Sequence, residues 1–233
     1  MSDDLENDLR DRLVATVKGA VSMIPFVGGP LGELITHVIP RQRQDRIVEY
    51  LRGLSEKLKT LELLVVEKAL SDPEQIDLIE TGGYLAARAT TPARVSAITQ
   101  VVFNGLKEEQ SDALRRKRLL GLLGEIDEDE VSLLNAYGQS YGGDGADAWE
   151  KVNRPDPPHL GSPLTDVERN ALFDLGRNRL LSLGLLTRNF GTVKKGEYPE
   201  FDAKNGGFKS RLEISFLGRM LLREMGFELS FDG

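Results

Sequence analysis

Residues 19–40, GAVSMIPFVGGPLGELITHVIP, hold a single charge, Glu33, and this stretch most narrows what the chain can fold into. As one helix it would run about 33 Å, long enough to cross a bilayer. Pro25, Gly28, Gly29 and Pro30 sit in its middle. Proline removes a backbone donor and clashes with the preceding turn, and Gly-Gly adds flexibility. The expectation is two short apolar helices, Val14–Ile24 and Leu31–Ile39, joined by a tight turn. Each alone is too short to span. Either the hairpin is buried at the centre of a helical bundle, apolar all round because it is covered on every side, or it leaves the bundle and enters a membrane or a partner. The contact residues would then be Ile24, Pro25, Phe26, Val27, Gly28, Gly29, Pro30 and Leu31. Glu33 and His37, four apart, share one helical face and read as a satisfied polar pair.

Around that segment the pattern is helix after helix. Leu5, Leu9, Leu13, Val17 and Val21 form an amphipathic stripe. A longer helix is expected over 41–70, where Ile47, Leu51, Leu54, Leu58, Leu61 and Val65 alternate spacings of four and three, a heptad seam that suits a straight partner helix or a second copy of the chain. Asp72-Pro73 and Thr91-Pro92 each place a capping residue before a proline, which starts a helix. The second of these helices carries Val95, Ile98, Val102 and Leu106 on one side. Ser111 can cap another, with Leu114, Leu119, Leu122 and Leu123, and a short helix around Glu130–Tyr137 closes this part.

Residues 138–163 are rich in Gly and Pro and read as a linker. Beyond it, Thr165-Asp-Val-Glu168 has the form of a capping box. The helix it opens carries Val167, Ala171, Leu175 and Leu183 and ends at Gly184. Two strands follow, Leu185–Phe190 and Phe208–Ser215, joined by a polar loop, and then a helix from Leu217 to Met225. Helix, β-hairpin and closing helix is the order of a winged helix. The fold class is therefore mainly α: a helical bundle over 1–137 around the apolar hairpin, a linker over 138–163, and a winged-helix-like α+β unit over 164–233.

Composition narrows the chemistry. The chain of 233 residues has no cysteine and two histidines, with 30 Lys and Arg against 37 Asp and Glu, a net charge of −7. There is no disulfide framework, thiolate metal site or cysteine nucleophile to consider. His37 and His159 stand in different segments without a third ligand, so no zinc site is read. GGDG at 142–145 lacks the strand and helix a phosphate-binding loop requires. The acids at 125–130 lack the spacing of a calcium loop and read as a solvated helix start. The expectation is no enzyme, no metal, no cofactor and no small-molecule substrate. The acidic N-terminus, with Asp3, Asp4, Glu6, Asp8 and Asp11 ahead of the apolar core, reverses the order of an export signal. A cytoplasmic protein is expected, membrane-associated when activated.

Two basic regions bear on nucleic acid. Arg115, Arg116, Lys117 and Arg118 spread around a helix and read as a solvated helix end. The winged part offers Arg177 and Arg179 on its first helix, and Arg188, Lys194, Lys195, Lys209 and Arg211 along its hairpin. A basic wing lies along phosphates while the preceding helix enters the major groove. Asp166, Glu168 and Asp174 on that helix weigh against it, and a winged helix that binds protein remains the other reading.

The string IPFVGG-PLGELI-THVIP followed by RQRQDRIVEYL, and the ending LLSLGLL with LEISFLGRMLLREMGF, resemble the two ends of bacterial abortive-infection alpha type phage-resistance proteins. Phe216 stands where that pattern carries proline before Leu217-Gly218. The resemblance implies a non-enzymatic cytosolic defence protein that acts through its hairpin on a membrane or a protein partner, with a DNA-binding transcriptional regulator as the alternative.

Overall fold

A computed structural model describes residues 40–107, 113–139, 146–203 and 206–229. The apolar hairpin and the stripe that precedes it lie outside these residues, as does Ser111. The chain is mainly α, with nine helices and two small antiparallel sheets among the described residues. It divides into two compact units, Met1–Glu125 with Glu224–Gly226, and Ile126–Arg223 with Phe227–Gly233.

The first unit holds α1 (Pro40–Leu58), α2 (Leu63–Ser71), α3 (Pro73–Arg88), α4 (Pro92–Lys107) and α5 (Ala113–Glu125). Helix α4 packs against all four others. Val95, Ile98, Val102 and Leu106 are buried on it as expected, and so are Val101 and Phe103. Both proline-led starts form. The Glu74 N–H donates to Asp72 Oδ1 at 3.0 Å, and the Arg94 N–H donates to Thr91 Oγ1 at 3.2 Å. Each cap satisfies a backbone donor that the first helical turn leaves unpaired.

The long helix expected over 41–70 is broken. After Leu58 the Thr60 and Leu61 N–H groups bond three residues back, to Lys57 O and Leu58 O, and Thr60 Oγ1 also donates to Lys57 O. This tightening uncouples α2 from the seam without a glycine or proline to announce it. The buried face of α1 is Ile47, Tyr50, Leu54 and Leu58, so Tyr50 takes the central place expected of Leu51. Its hydroxyl donates to the Ile79 carbonyl at 2.9 Å. Gly82 lets the ring approach: a Cβ there would stand 2.6 Å from both Tyr50 Oη and Val102 Cγ2.

The basic run on α5 is not wholly solvated. It wraps the helix, so one member must face the bundle, and that member is Arg116, 2% exposed and ion-paired with Glu224. Arg115 reaches the same carboxylate at 3.7 Å, and Lys117 pairs with Asp77. A polar chain extends from Glu224 along α4. Asn104 Nδ2 donates to Glu224 Oε2 at 3.0 Å, Gln100 Nε2 to Asn104 Oδ1 at 2.9 Å, and Lys57 Nζ to Gln100 Oε1 at 2.7 Å.

The second unit holds α6 (Glu128–Gln139), α7 (Ala146–Glu150), α8 (Leu164–Ser182), β1 (Leu186–Asn189), β2 (Phe201–Asp202), β3 (Gly207–Phe208), β4 (Arg211–Ile214) and α9 (Phe216–Glu224) up to Arg223, the last residue of α9, Glu224, belonging to the first unit. Strands β1 and β4 pair antiparallel with Leu186 opposite Ile214 and Asn189 opposite Arg211. The order helix, hairpin, helix is the winged-helix order. The loop between the strands adds a second short ladder, Phe201 opposite Phe208, their rings edge to face at 5.8 Å. Ser215 starts α9: its Oγ accepts from the Gly218 N–H at 3.0 Å and donates to the Gly184 carbonyl. Gly218 packs so closely that a Cβ would run into the Leu185 carbonyl. The segment expected as a linker contributes α7, whose Trp149 meets Tyr137 of α6 edge to face at 5.1 Å.

Burial raises the Tyr50 hydroxyl far above the ordinary phenol value. The folded state therefore holds the proton more tightly than the unfolded chain. Stability from this group is complete below about pH 10 and falls as pH rises beyond it. Tyr50→Phe should cost about 1 kcal/mol at neutral pH and flatten the alkaline decline. Urea midpoints from about pH 8 to 11 check this; an unchanged slope in the variant removes the argument.

Candidate functional site

The second unit takes its shape from one carboxylate. Asp127 and Glu130 cap α6 reciprocally: the Asp127 N–H donates to Glu130 Oε2 at 2.9 Å and the Glu130 N–H to Asp127 Oδ1 at 2.8 Å. This is the capping-box arrangement, with Asp in the first place. The box expected at Thr165–Glu168 does not form. Helix α8 begins two residues earlier, and Pro163, with φ −54° and ψ 147°, precedes it without a side-chain cap. That backbone turn leaves Thr165 inside the first helical turn, where it cannot act as the cap.

Glu130 is 3% exposed, against the expectation of a solvated acidic cluster. Its Oε1 lies 3.3 Å from Arg179 Nη1 on α8. Gly176, one turn earlier, packs on it: a Cβ there would stand 3.3 Å from Glu130 Cγ. Leu180 on the same side of α8 is fully buried. These contacts decide which way α8 is turned.

The adjoining side of α8 is exposed and apolar, and its Leu172 and Leu175 border the cleft that Glu130, Gly176 and Arg179 also line. Leu164, Val167, Leu172 and Leu175 are 71%, 41%, 67% and 54% exposed, with Ala171 exposed among them. At about 100° per residue they cover an arc of about 140°. Val167, Ala171 and Leu175, the apolar positions expected on this helix, are exposed. The pattern did reveal an apolar stripe. It did not reveal that Gly176 and Glu130 claim the side next to it.

The basic candidates are mostly engaged within the unit. Arg177 lies 3.0 Å from Asp174 and Arg211 2.6 Å from Glu213 Oε1, while Lys209 pairs with Glu200 and Arg179 with Glu130. The Lys209 ammonium is held above its usual range, first by its hydrogen bond to Glu200 and then by that carboxylate's charge. Arg188 is exposed, 3.5 Å from Ser210 Oγ. Lys194 and Lys195 are exposed on the wing. Phe190, Tyr198, Phe201 and Phe208 are exposed on the same wing.

The cleft, about 720 Å³ in volume, opens between α6, the 151–163 segment and α8. Its walls mix Lys151, Arg154 and Arg169 with Asp129, Asp156 and Asp166, and His159, Leu172 and Leu175 line it too. Burial pushes the nearby Tyr137 hydroxyl up, against the charges of Arg177 and Arg154. Among the described residues no cluster of His, Asp and Glu is placed to hold a metal ion, and no helix is long and apolar enough to cross a membrane. Ile24, Pro25, Phe26, Val27, Gly28, Gly29, Pro30 and Leu31 lie outside the described residues. Compared with known proteins, the chain matches no family model, no curated protein and no solved structure.

Glu130→Ala should remove the half of the cap that its carboxylate accepts from the Asp127 N–H, and the ion pair to Arg179, while the backbone N–H of residue 130 keeps its bond to Asp127 Oδ1, a loss of about 1–2 kcal/mol. The melting temperature of the full chain should fall, and amide exchange at Asp127 should speed up. Protection left as it was would show that the cap is not what holds α6.

Proposed function

We propose that this chain is a non-enzymatic, protein-binding component of bacterial phage defence whose winged-helix-like unit docks a protein through the outward face of α8. The observation that carries the docking role is the character of that face. In a winged helix that reads DNA, the helix ahead of the hairpin must present donors and cations to phosphates and base edges. Here the same helix presents Leu164, Val167, Leu172 and Leu175. An exposed apolar stripe on an otherwise charged unit is the kind of surface that meets protein. The defence role rests on the sequence resemblance at the two ends of the chain. On this reading the protein works from the cytoplasm, and the hairpin at 24–31 makes a second contact, with a membrane or a protein.

The experiment is plaque formation on cells expressing the chain. Wild type should lower plating of at least one phage tenfold or more, and Leu172→Glu with Leu175→Glu should restore it at equal soluble protein. Both residues are exposed, so the double variant should fold. No protection by wild type sinks the defence role; protection that survives the double variant sinks the docking face.

A second reading, a DNA-binding regulator, is favoured by the wing, where Lys194 and Lys195 stand exposed among exposed aromatic rings. It requires binding to duplex DNA that weakens linearly in log–log terms as salt rises. Lys194→Glu with Lys195→Glu should weaken it at least tenfold. Fluorescence anisotropy at low salt checks this, and flat titrations there would eliminate the regulator.

A further inference from the structure

The geometry points to a second activity, on the wing: it binds single-stranded nucleic acid, its exposed rings stacking on bases while unpaired cations hold the phosphates. This goes beyond the docking face of α8 and does not depend on it. The hairpin is one long ladder with an excursion in its first arm. The run 207–214 pairs with 186–189 through β4 and with 201–202 through β3, and between these the Lys209 N–H donates to the Glu200 carbonyl at 2.8 Å. Residues 190–199 leave the ladder and return to it. Within them the Glu197 N–H donates to the Lys194 carbonyl at 3.0 Å, and Gly196 has φ 89°, the positive φ that a type II turn requires at its third place. Lys194 and Lys195 form the corner of that turn.

Alternation sorts the two sides of the hairpin. Lys209, Arg211 and Glu213 share one side, where charge is answered locally: Lys209 pairs with Glu200, Arg211 lies 2.6 Å from Glu213 Oε1, and Asn189 Nδ2 donates to the same carboxylate at 2.9 Å. Phe208 and Ser210 share the other, where Arg188 reaches Ser210 Oγ at 3.5 Å. Phe208 meets Phe201 edge to face, so the ring that supplies the edge keeps both its faces clear of its neighbour. Phe190, Phe201 and Phe208 are exposed, and Tyr198 is 86% exposed. Among the described residues Arg188, Lys194 and Lys195 form no ion pair. From Arg188 to Arg211 six Lys and Arg stand against three Asp and Glu, a local excess on a chain of net charge −7. Free cations among open rings suit a polyanion whose bases are themselves uncovered. A duplex covers its base faces with neighbouring bases and leaves only edges in the grooves. A lipid surface would have to take the exposed Glu197 out of water along with Tyr198, whereas a strand stacked on the ring leaves that carboxylate solvated.

Fluorescence anisotropy of the full chain tests this, with labelled oligo-dT and oligo-rU of about twelve nucleotides, a duplex of the same length, and phosphatidylcholine vesicles carrying phosphatidylserine. At low salt at least one strand should bind at least tenfold more tightly than the duplex. Tyr198→Ala should weaken that binding at least fivefold and leave its salt dependence unchanged, because stacking releases no counterion. Lys194→Ala with Lys195→Ala should flatten the slope of log K against log salt by about 1.4, two phosphates at about 0.7 each. All three side chains are exposed, so both variants should keep the native melting temperature.

Titrations in which neither strand binds at low salt overturn the inference. So does a duplex bound as tightly as the strands, a Tyr198→Ala variant that binds like the native chain, or association with the vesicles alone. Binding of either strand upholds it, and a preference for oligo-rU would show that the 2′-hydroxyl is read. The docking reading stands or falls separately, on plaque protection by Leu172→Glu with Leu175→Glu, which leaves the wing untouched.

Discussion

Taking a carboxylate out of water costs several kcal/mol unless partners replace the lost hydration. Glu130 has them: a backbone N–H at Asp127 and the guanidinium of Arg179. Because those partners come from the start of α6 and from α8, the charge cannot stay buried unless the two helices hold one relation to each other. Gly176 removes the side chain that would otherwise keep α8 away. The rotation of α8 follows, and with it the division between the side that carries Leu180 inward and the side that carries Leu172 outward. The exposed face is a consequence of an ion pair at its own edge.

The first unit buries charge in a similar way. Arg116 and Glu224 meet inside it, and Asn104, Gln100 and Lys57 continue the polar chain along α4. Gly105 makes room for the arginine stem, since a Cβ there would stand 3.2 Å from Arg116 Cγ. Buried pairs of this kind are poor sources of net stability, yet removing one partner leaves the other stranded. They fix register among helices whose remaining contacts, Val, Leu and Ile against one another, would tolerate a slip.

Features set by local chemistry were legible in the sequence. Asp72-Pro73 and Thr91-Pro92 start helices because a short polar side chain and a fixed φ act within four residues. The stripe Val95–Leu106 is buried because its period matches the helix. The strand pair and its closing helix could be placed from alternation and turn residues. Features set by long-range partners were not. Nothing near Arg116 announces that Glu224 will neutralise it. Nothing near Glu130 announces Arg179. Thr165–Glu168 has the letters of a capping box, but Pro163 sets the backbone turn first, while the reciprocal cap that does form uses Asp127 and Glu130. The break after Leu58 comes from i to i−3 bonding around Thr60, which leaves no gap in the apolar spacing. The apolar stripe of α8 was legible from its spacing, and its exposure was not, because periodicity alone does not say which apolar positions a helix buries.

That division of α8 also governs how the surface can change over evolutionary time. Substitutions at Gly176 or Leu180 are tried first by folding, and most fail there. Substitutions at Leu164, Leu172 or Leu175 alter stability little, since these side chains touch solvent in the free chain. Whatever meets that face is selected almost independently of the scaffold, so the identity of the partner can drift or be exchanged while the winged unit stays as it is.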